Sequence, residues 1–156
     1  MKKQTKVYII SIAIPLLVGG LSALITAGNM DVYKELIQPP LAPPGWLFPV
    51  VWTILYVLMG ISAARVHLSD APQRIKEHGL YSYGISLLMN FMWSIIFFNV
   101  RAFLFAFFWI LGLLFFVIRT IYYYFKADRL AAKLQIPYAL WVTFATYLNF
   151  AIWALN

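Results

Sequence analysis

The sequence predicts an all-α integral membrane protein, a bundle of five transmembrane helices. Three observations lead there. Of the 156 residues, 63% are hydrophobic and only 11% charged, whereas a soluble domain is about 25% charged. Five apolar runs are each of the order of the ~20 residues that cross a bilayer as a helix. The basic residues of this chain of formal charge +7 sit at the ends of those runs rather than in one patch, which favours membrane orientation signals over a nucleic-acid face. There is no cysteine, so disulfides and thiolate metal sites are excluded.

The first span, residues 7–27, follows the basic leader Met1-Lys2-Lys3-Gln4-Thr5-Lys6. A signal peptide would share that start but have a shorter apolar core of about 7–15 residues, and no A-x-A-like cleavage site is evident. The segment is therefore read as a retained helix. Pro15 is a candidate kink, and Gly19, Ala23 and Ala27 place small residues one turn apart, where a neighbour or a ligand can approach closely.

Residues 28–45 form a long loop ending in Pro39-Pro40-Leu41-Ala42-Pro43-Pro44-Gly45. Its proline-rich part is barred from the helix, because prolines remove donors and fix φ. A loop so long and so rich in proline is more often functional than a linker. The second span, residues 46–66, begins where Pro49 suits a first helical turn, and carries Trp52 and Tyr56 one turn apart. A stiff lid leading into an aromatic helix points to a covered ligand pocket.

The third span is residues 79–98, after a polar segment with His67, Arg74, Lys76 and His78. The short turn Asn99-Val100-Arg101 makes the fourth span, residues 102–124, its antiparallel neighbour. That span has almost no polar atom between Ala102 and Ile118, so it is expected to face lipid or a second copy. Tyr122, Tyr123 and Tyr124 beside Arg119 and Lys126 fit an interfacial belt. The fifth span opens at Pro137 and covers residues 137–155. The whole, residues 1–156, is read as a single transmembrane domain. Ten Lys and Arg fall on the side of the leader and two, Lys34 and Arg101, on the lid side. The positive-inside rule then predicts a cytoplasmic N-terminus, with the lid and the C-terminus outside.

Two spans carry polar stripes, Ser82, Ser86, Asn90 and Trp93 on the third and Tyr138, Trp141, Ala145 and Asn149 on the fifth. Polar side chains at membrane depth are costly unless they face protein, water or a ligand, so both stripes are expected to face inward. No span has an ionised residue in its middle, which argues against an ion-coupled pump. His67 and His78 lie in the polar basic segment, where a solvated loop is the simpler reading, so no metal site is expected. No hydrolytic triad, phosphate loop or HExxH pattern is present. What remains is indole and amide. Trp52, Asn90 and Trp141, from three spans, offer flat apolar area and one polar group to a flat aromatic ligand. Asn90 serves equally well in bonding another helix, and both uses stand. Trp46, Trp109 and Trp153 are read as interface anchors. With a helix beginning at Pro137, Trp141 lies only about 6 Å along it. A ligand touching Trp52, Asn90 and Trp141 must then be long, or the last helix must start earlier.

Three segments resemble the tryptophan-rich sensory protein (TspO) family, whose animal members are the mitochondrial translocator protein or peripheral benzodiazepine receptor. They are residues 44–56 with Met59-Gly60, Asn90-Phe91-Met92-Trp93-Ser94-Ile95-Ile96-Phe97-Phe98, and residues 137–149, Pro137-Tyr138-Ala139-Leu140-Trp141 among them. The resemblance runs the length of the chain. It implies a five-helix, commonly homodimeric bundle in a bacterial cell membrane. It further implies binding of tetrapyrroles such as protoporphyrin IX, and of isoquinoline or benzodiazepine-type ligands, beneath the first loop. In relatives the tryptophans matching Trp52 and Trp141 are linked to light- and oxygen-dependent porphyrin degradation, so these two are the candidate redox-active residues. The motif-matched ligand positions are Trp52, Asn90, Trp141, Ala145 and Leu148, with Tyr33, Pro43, Phe48 and Ala23 as looser transfers; the stacking reading adds Trp93. No tightly bound cofactor is implied, since the porphyrin is ligand, substrate and photosensitiser at once. The animal family's C-terminal cholesterol motif is not matched, because Phe150 stands where a Tyr is needed and no Lys or Arg follows. Transport of porphyrins or similar apolar compounds, and ligand sensing or scaffolding without chemistry, are the rival functions.

Overall fold

The computed structural model describes residues 2–156. Five long apolar helices make it a multi-pass membrane bundle: α1 (Lys3–Thr26), α3 (Leu47–Leu68), α4 (Gln73–Ser94), α5 (Phe103–Ala127) and α6 (Arg129–Leu155). Between α1 and α3 lie a 3-10 turn, Ala27–Asn29, and a short helix α2 (Val32–Glu35), so the loop is partly helical before its prolines. Between α4 and α5 the chain forms one π-helical turn, Ile95–Asn99.

Three helices start earlier than the sequence spacing predicts, α1 by taking in Lys3 to Lys6 of the basic leader. Pro72 occupies the N-cap of α4, and the charged stretch from Arg74 to His78 is its first turns rather than a loop. Asp128 caps α6, accepting a hydrogen bond from the Leu130 amide at 3.0 Å while pairing with Arg65 at 2.8 Å. Ala131, Ala132 and Gln135 are buried on the roughly two extra turns this adds. Pro137 therefore sits inside α6, where it removes one backbone hydrogen bond and crowds the carbonyl one turn back. Trp141 now lies about 18 Å from the helix start, which removes the depth conflict.

The core lies where α3, α4, α5 and α6 meet, around Met59, Val66, Ile110, Val117, Tyr138 and Val142. Here the expectation for the fourth span is corrected. Only its outer face, with Phe105, Phe108 and Phe115, is exposed. Ala106, Ile110, Leu113, Val117, Thr120 and Tyr124 form a buried stripe on the other side, and α5 packs extensively on α4 and α6. Between Ala102 and Ile118 the helix has almost no polar atom, so no polar face tells lipid from protein there, hence the misreading. Tyr124 leaves the expected interfacial belt for the same reason, being fully buried. The two polar stripes face inward: Ser82, Ser86, Asn90, Tyr138, Ala145 and Asn149 are all buried.

α1 packs chiefly on α3. The joint is made by glycines. A Cβ at Gly60 would overlap the Ile12 backbone and lie 2.7 Å from the Ser11 carbonyl oxygen, and one at Gly19 would overlap the Tyr56 ring. One end of the bundle holds the lid, the Asn99–Arg101 turn and the end of α6, tied together by Asn29 to Asn99 at 2.8 Å and by Ile37 to Asn156 at 3.0 Å.

Candidate ligand cavity

The cavity forms because four helices and the lid each turn one aromatic or small-residue face to the same space. On α3, Phe48, Trp52 and Tyr56 recur every four residues, which is one face of a helix. On α6 the same rule aligns Trp141, Ala145, Leu148, Asn149 and Ile152. α1 contributes Gly19, Ala23 and Thr26, whose small side chains leave room, and the lid closes over Met30 and Tyr33. The π turn after α4 brings Phe97 and Phe98, about one turn nearer the lid than Trp93 and Ser94, to the same wall. The enclosed volume is about 310 Å³, open along part of its boundary. Small-molecule sites run from ~300 to 1,000 Å³. Among the described residues no charged side chain lines it.

The rings interlock. Trp52 stacks on Tyr56 at 5.6 Å and meets Trp141 edge-on at 6.5 Å. Phe48 lies 5.9 Å from Trp141 and 5.1 Å from Tyr33. Such edge-to-face pairs each add ~0.5–1.5 kcal/mol beyond area burial, so the wall is preorganised. Trp93 is fixed by polar contacts as well. Its Nε1–H donates to Asn149 Oδ1 at 2.9 Å, and Asn149 Nδ2 donates to the Phe103 carbonyl at 2.8 Å. One buried amide thus ties α4, α5 and α6 around the cavity. The Trp141 Nε1–H, by contrast, is buried with no partner.

The roof is hydrogen-bonded rather than merely laid on. The Tyr33 hydroxyl donates to the Pro43 carbonyl at 2.7 Å, Gln38 Nε2 to the Tyr33 carbonyl at 2.9 Å, and the Tyr147 hydroxyl to the Pro40 carbonyl at 2.8 Å. Burial raises the Tyr33 pKa above its usual value, so the phenol keeps the proton it donates.

Ala23, Tyr33, Phe48, Trp52, Trp93, Trp141, Ala145 and Leu148 come together on this one surface. Two expected positions do not. Pro43 lies behind the lining as the acceptor for Tyr33. Asn90 is buried but off the lining, with no hydrogen-bond partner for its Nδ2 among the described residues, while Tyr56 forms part of the wall. Sequence reading missed Tyr56, Phe97 and Phe98 as lining residues. The four-residue spacing from Trp52 to Tyr56 and from Trp93 to Phe97 was signal enough for those two; the π turn leaves no such signal for Phe98. Trp109, expected as a lipid anchor, donates to the Met89 carbonyl at 2.9 Å and ties α5 to α4.

Residues 11–154 match the model of the TspO/MBR family. The chain belongs to that family. The tryptophan-rich protein TspO of Chlorobaculum tepidum is 34% identical over 157 aligned positions, spanning 100% of this chain and 99% of that one. Protein CrtK of Rhodobacter capsulatus is 36% identical, over 80% of this chain and 78% of its own. The human translocator protein is 32% identical, over 80% of this chain and 74% of its own. For a TspO/MBR member, the cavity is the place where TspO-type ligand binding is to be sought.

Proposed function

We propose that the cavity holds a tetrapyrrole such as protoporphyrin IX, and that the protein promotes its light- and oxygen-dependent degradation. The observation that carries this reading is the set of three indoles, Trp52, Trp93 and Trp141, from three helices around one roofed space. The fit to a flat aromatic guest rests on those faces and on the unpartnered Trp141 Nε1–H, which a guest's acceptor atom would satisfy. Isoquinoline or benzodiazepine-type ligands, smaller and equally flat, fit the same description. A full porphyrin macrocycle fills such a volume only with its rim in the open side of the cavity or with the lid displaced.

Light absorbed by the porphyrin and dissolved dioxygen supply the oxidising chemistry. The chain holds the ring against Trp52 and Trp141, the oxidisable side chains nearest to it, and keeps water out with the Tyr33 roof. Asn90 is buried off the lining of the cavity, so the ring is held without it. In the membrane of a bacterial cell the basic end faces the cytoplasm and the lid faces out. A homodimer would use the outer face of α5, because the small residues of α1 are spent on Tyr56 and the cavity.

The test is a titration with protoporphyrin IX in darkness, followed by illumination with and without oxygen and analysis of the pigment. Pigment loss should need both light and oxygen and should fall in Trp52→Phe and Trp141→Phe. Unchanged products from the double variant, with binding intact, would remove the indoles from the mechanism. Dark uptake of porphyrin into liposomes carrying the protein would favour transport, and unaltered pigment after illumination would favour sensing.

A further inference from the structure

At the end of the bundle away from the lid, a second set of side chains is organised around one ring. His78 of α4 stacks on Tyr123 of α5, with centroids 5.1 Å apart and planes 19° from parallel. The Arg119 guanidinium lies 5.3 Å from the same ring centre, and the Lys126 ammonium 5.9 Å. Lys126 is also held 4.3 Å over Tyr122, and donates to its hydroxyl at 2.9 Å. The arrangement depends on Gly79: a Cβ there would lie 2.9 Å from the Tyr124 ring and 3.3 Å from Tyr123 Cβ. Only glycine lets α4 come close enough to seat His78.

Two permanent cations thus share an aromatic platform, and neither is neutralised. The three ion pairs among the described residues join Lys34 to Asp31, Arg65 to Asp128 and Arg101 to Glu35. Arg119 lies two turns inside α5, on a segment long and apolar enough to span the membrane. A guanidinium there is costly without an anion. Cation–π contact recovers part of that cost but supplies no counter-charge. Around it Ile118, Tyr122, Phe115 and Tyr81 are exposed, apolar surface on α4 and α5 of the kind acyl chains cover.

We propose that Arg119, Lys126 and His78, arranged on Tyr123, form a binding site for the headgroup phosphate of an anionic phospholipid. The guanidinium and ammonium supply the charge, the Tyr122 and Tyr123 rings hold both at headgroup level, and the acyl chains lie on the exposed faces of α4 and α5. A lipid is the occupant because the cations stand beside apolar exposed surface, not in an aqueous cleft. The site lies at the other end of the bundle from the cavity, and its existence does not depend on the porphyrin reading.

Native mass spectrometry of the full chain, released from micelles with phosphatidylglycerol or phosphatidylcholine, tests this. Wild type should retain phosphatidylglycerol in preference to phosphatidylcholine. One basic side chain beside an anionic surface is worth about fivefold in binding, so Lys126→Gln should lose about fivefold and Arg119→Gln with Lys126→Gln about 25-fold. Arg119→Lys should keep most of the preference. Lys126 is exposed in the last turn of α5, so its variant keeps the test valid if the double variant folds poorly. Equal retention of both lipids by wild type, or full retention by Lys126→Gln, overturns the proposal. Displacement by inorganic phosphate at matched concentration would also overturn it, by making the site one for a free anion.

Discussion

Replacing Asn156 by Ala should unlatch the lid without touching the cavity. The Asn156 side chain accepts from the Ile37 amide at 3.0 Å and donates to the Ile37 carbonyl at 3.0 Å, a reciprocal pair between the end of α6 and the proline-rich strap. A net hydrogen bond contributes ~0.5–1.5 kcal/mol, and these two are exposed, so the low half of that range applies. Their joint loss costs the closed lid about 1–2 kcal/mol, which raises the open population roughly 5- to 30-fold. Hydrogen exchange reads this at the bond itself, since Ile37 N–H is one of the two donors. Exchange at Ile37 should quicken by that factor in Asn156→Ala, while amides in the middle of α6 keep their protection. Asn156→Asp, which keeps the acceptor and loses the donor, should fall between. Ligand association and dissociation should both accelerate, with affinity changing less than either rate. An Ile37 amide that exchanges at the wild-type rate in Asn156→Ala would refute the latch.

The other predictions concern packing, the buried amide and the roof. Gly60→Ala should destabilise more than Gly19→Ala in thermal unfolding in micelles, because the new methyl meets the backbone of α1 in one case and a tyrosine ring in the other; overpacking of this kind costs ~1–3 kcal/mol. Asn149→Leu leaves the Trp93 N–H and the Phe103 carbonyl without their partner, which should cost about 2–4 kcal/mol and shift the Trp93 fluorescence. Tyr33 has its pKa raised by burial, so its bond to Pro43 should be complete below pH ~10 and lost only as pH rises through the higher folded value. Tyr33→Phe should therefore bind ligand at pH 8 as wild type does at very high pH, as measured by equilibrium titration across that range.

Much of the architecture was legible because hydropathy and helix periodicity report directly on membrane crossing. The inward stripes were readable for the same reason: Asn90 and Asn149 are expensive in lipid and must point to protein. The errors fall where composition carries no orientation. Charged first turns, as at Arg74 to His78 and Arg129 to Lys133, look like loops until a cap residue such as Asp128 is weighed against them. The first two-thirds of α5, apolar on every side up to Ile118, offers no polar face, so its buried stripe against α4 and α6 was invisible. Within the cavity, spacing from Trp52 and Trp141 located two walls. It could not show that Asn90 is buried off the lining while Tyr56 is part of it, since both face inward. Nor could it foresee Phe98 beside Phe97 on the wall that follows Trp93, because hydrophobic spacing assumes regular turns.

The hydrogen bond from the Val100 amide to the Ile95 carbonyl, 3.0 Å long, spans five residues rather than four. A helix that takes this wider step accommodates one residue more than a regular turn. Chain length between positions 95 and 99 is therefore part of the shape of the chamber. Deleting a single residue there would tighten the coil and rotate everything on one side of it by about 100° relative to the other. Relatives that differ by one residue in this stretch should accordingly prefer guests of a different outline, even where every tryptophan is retained.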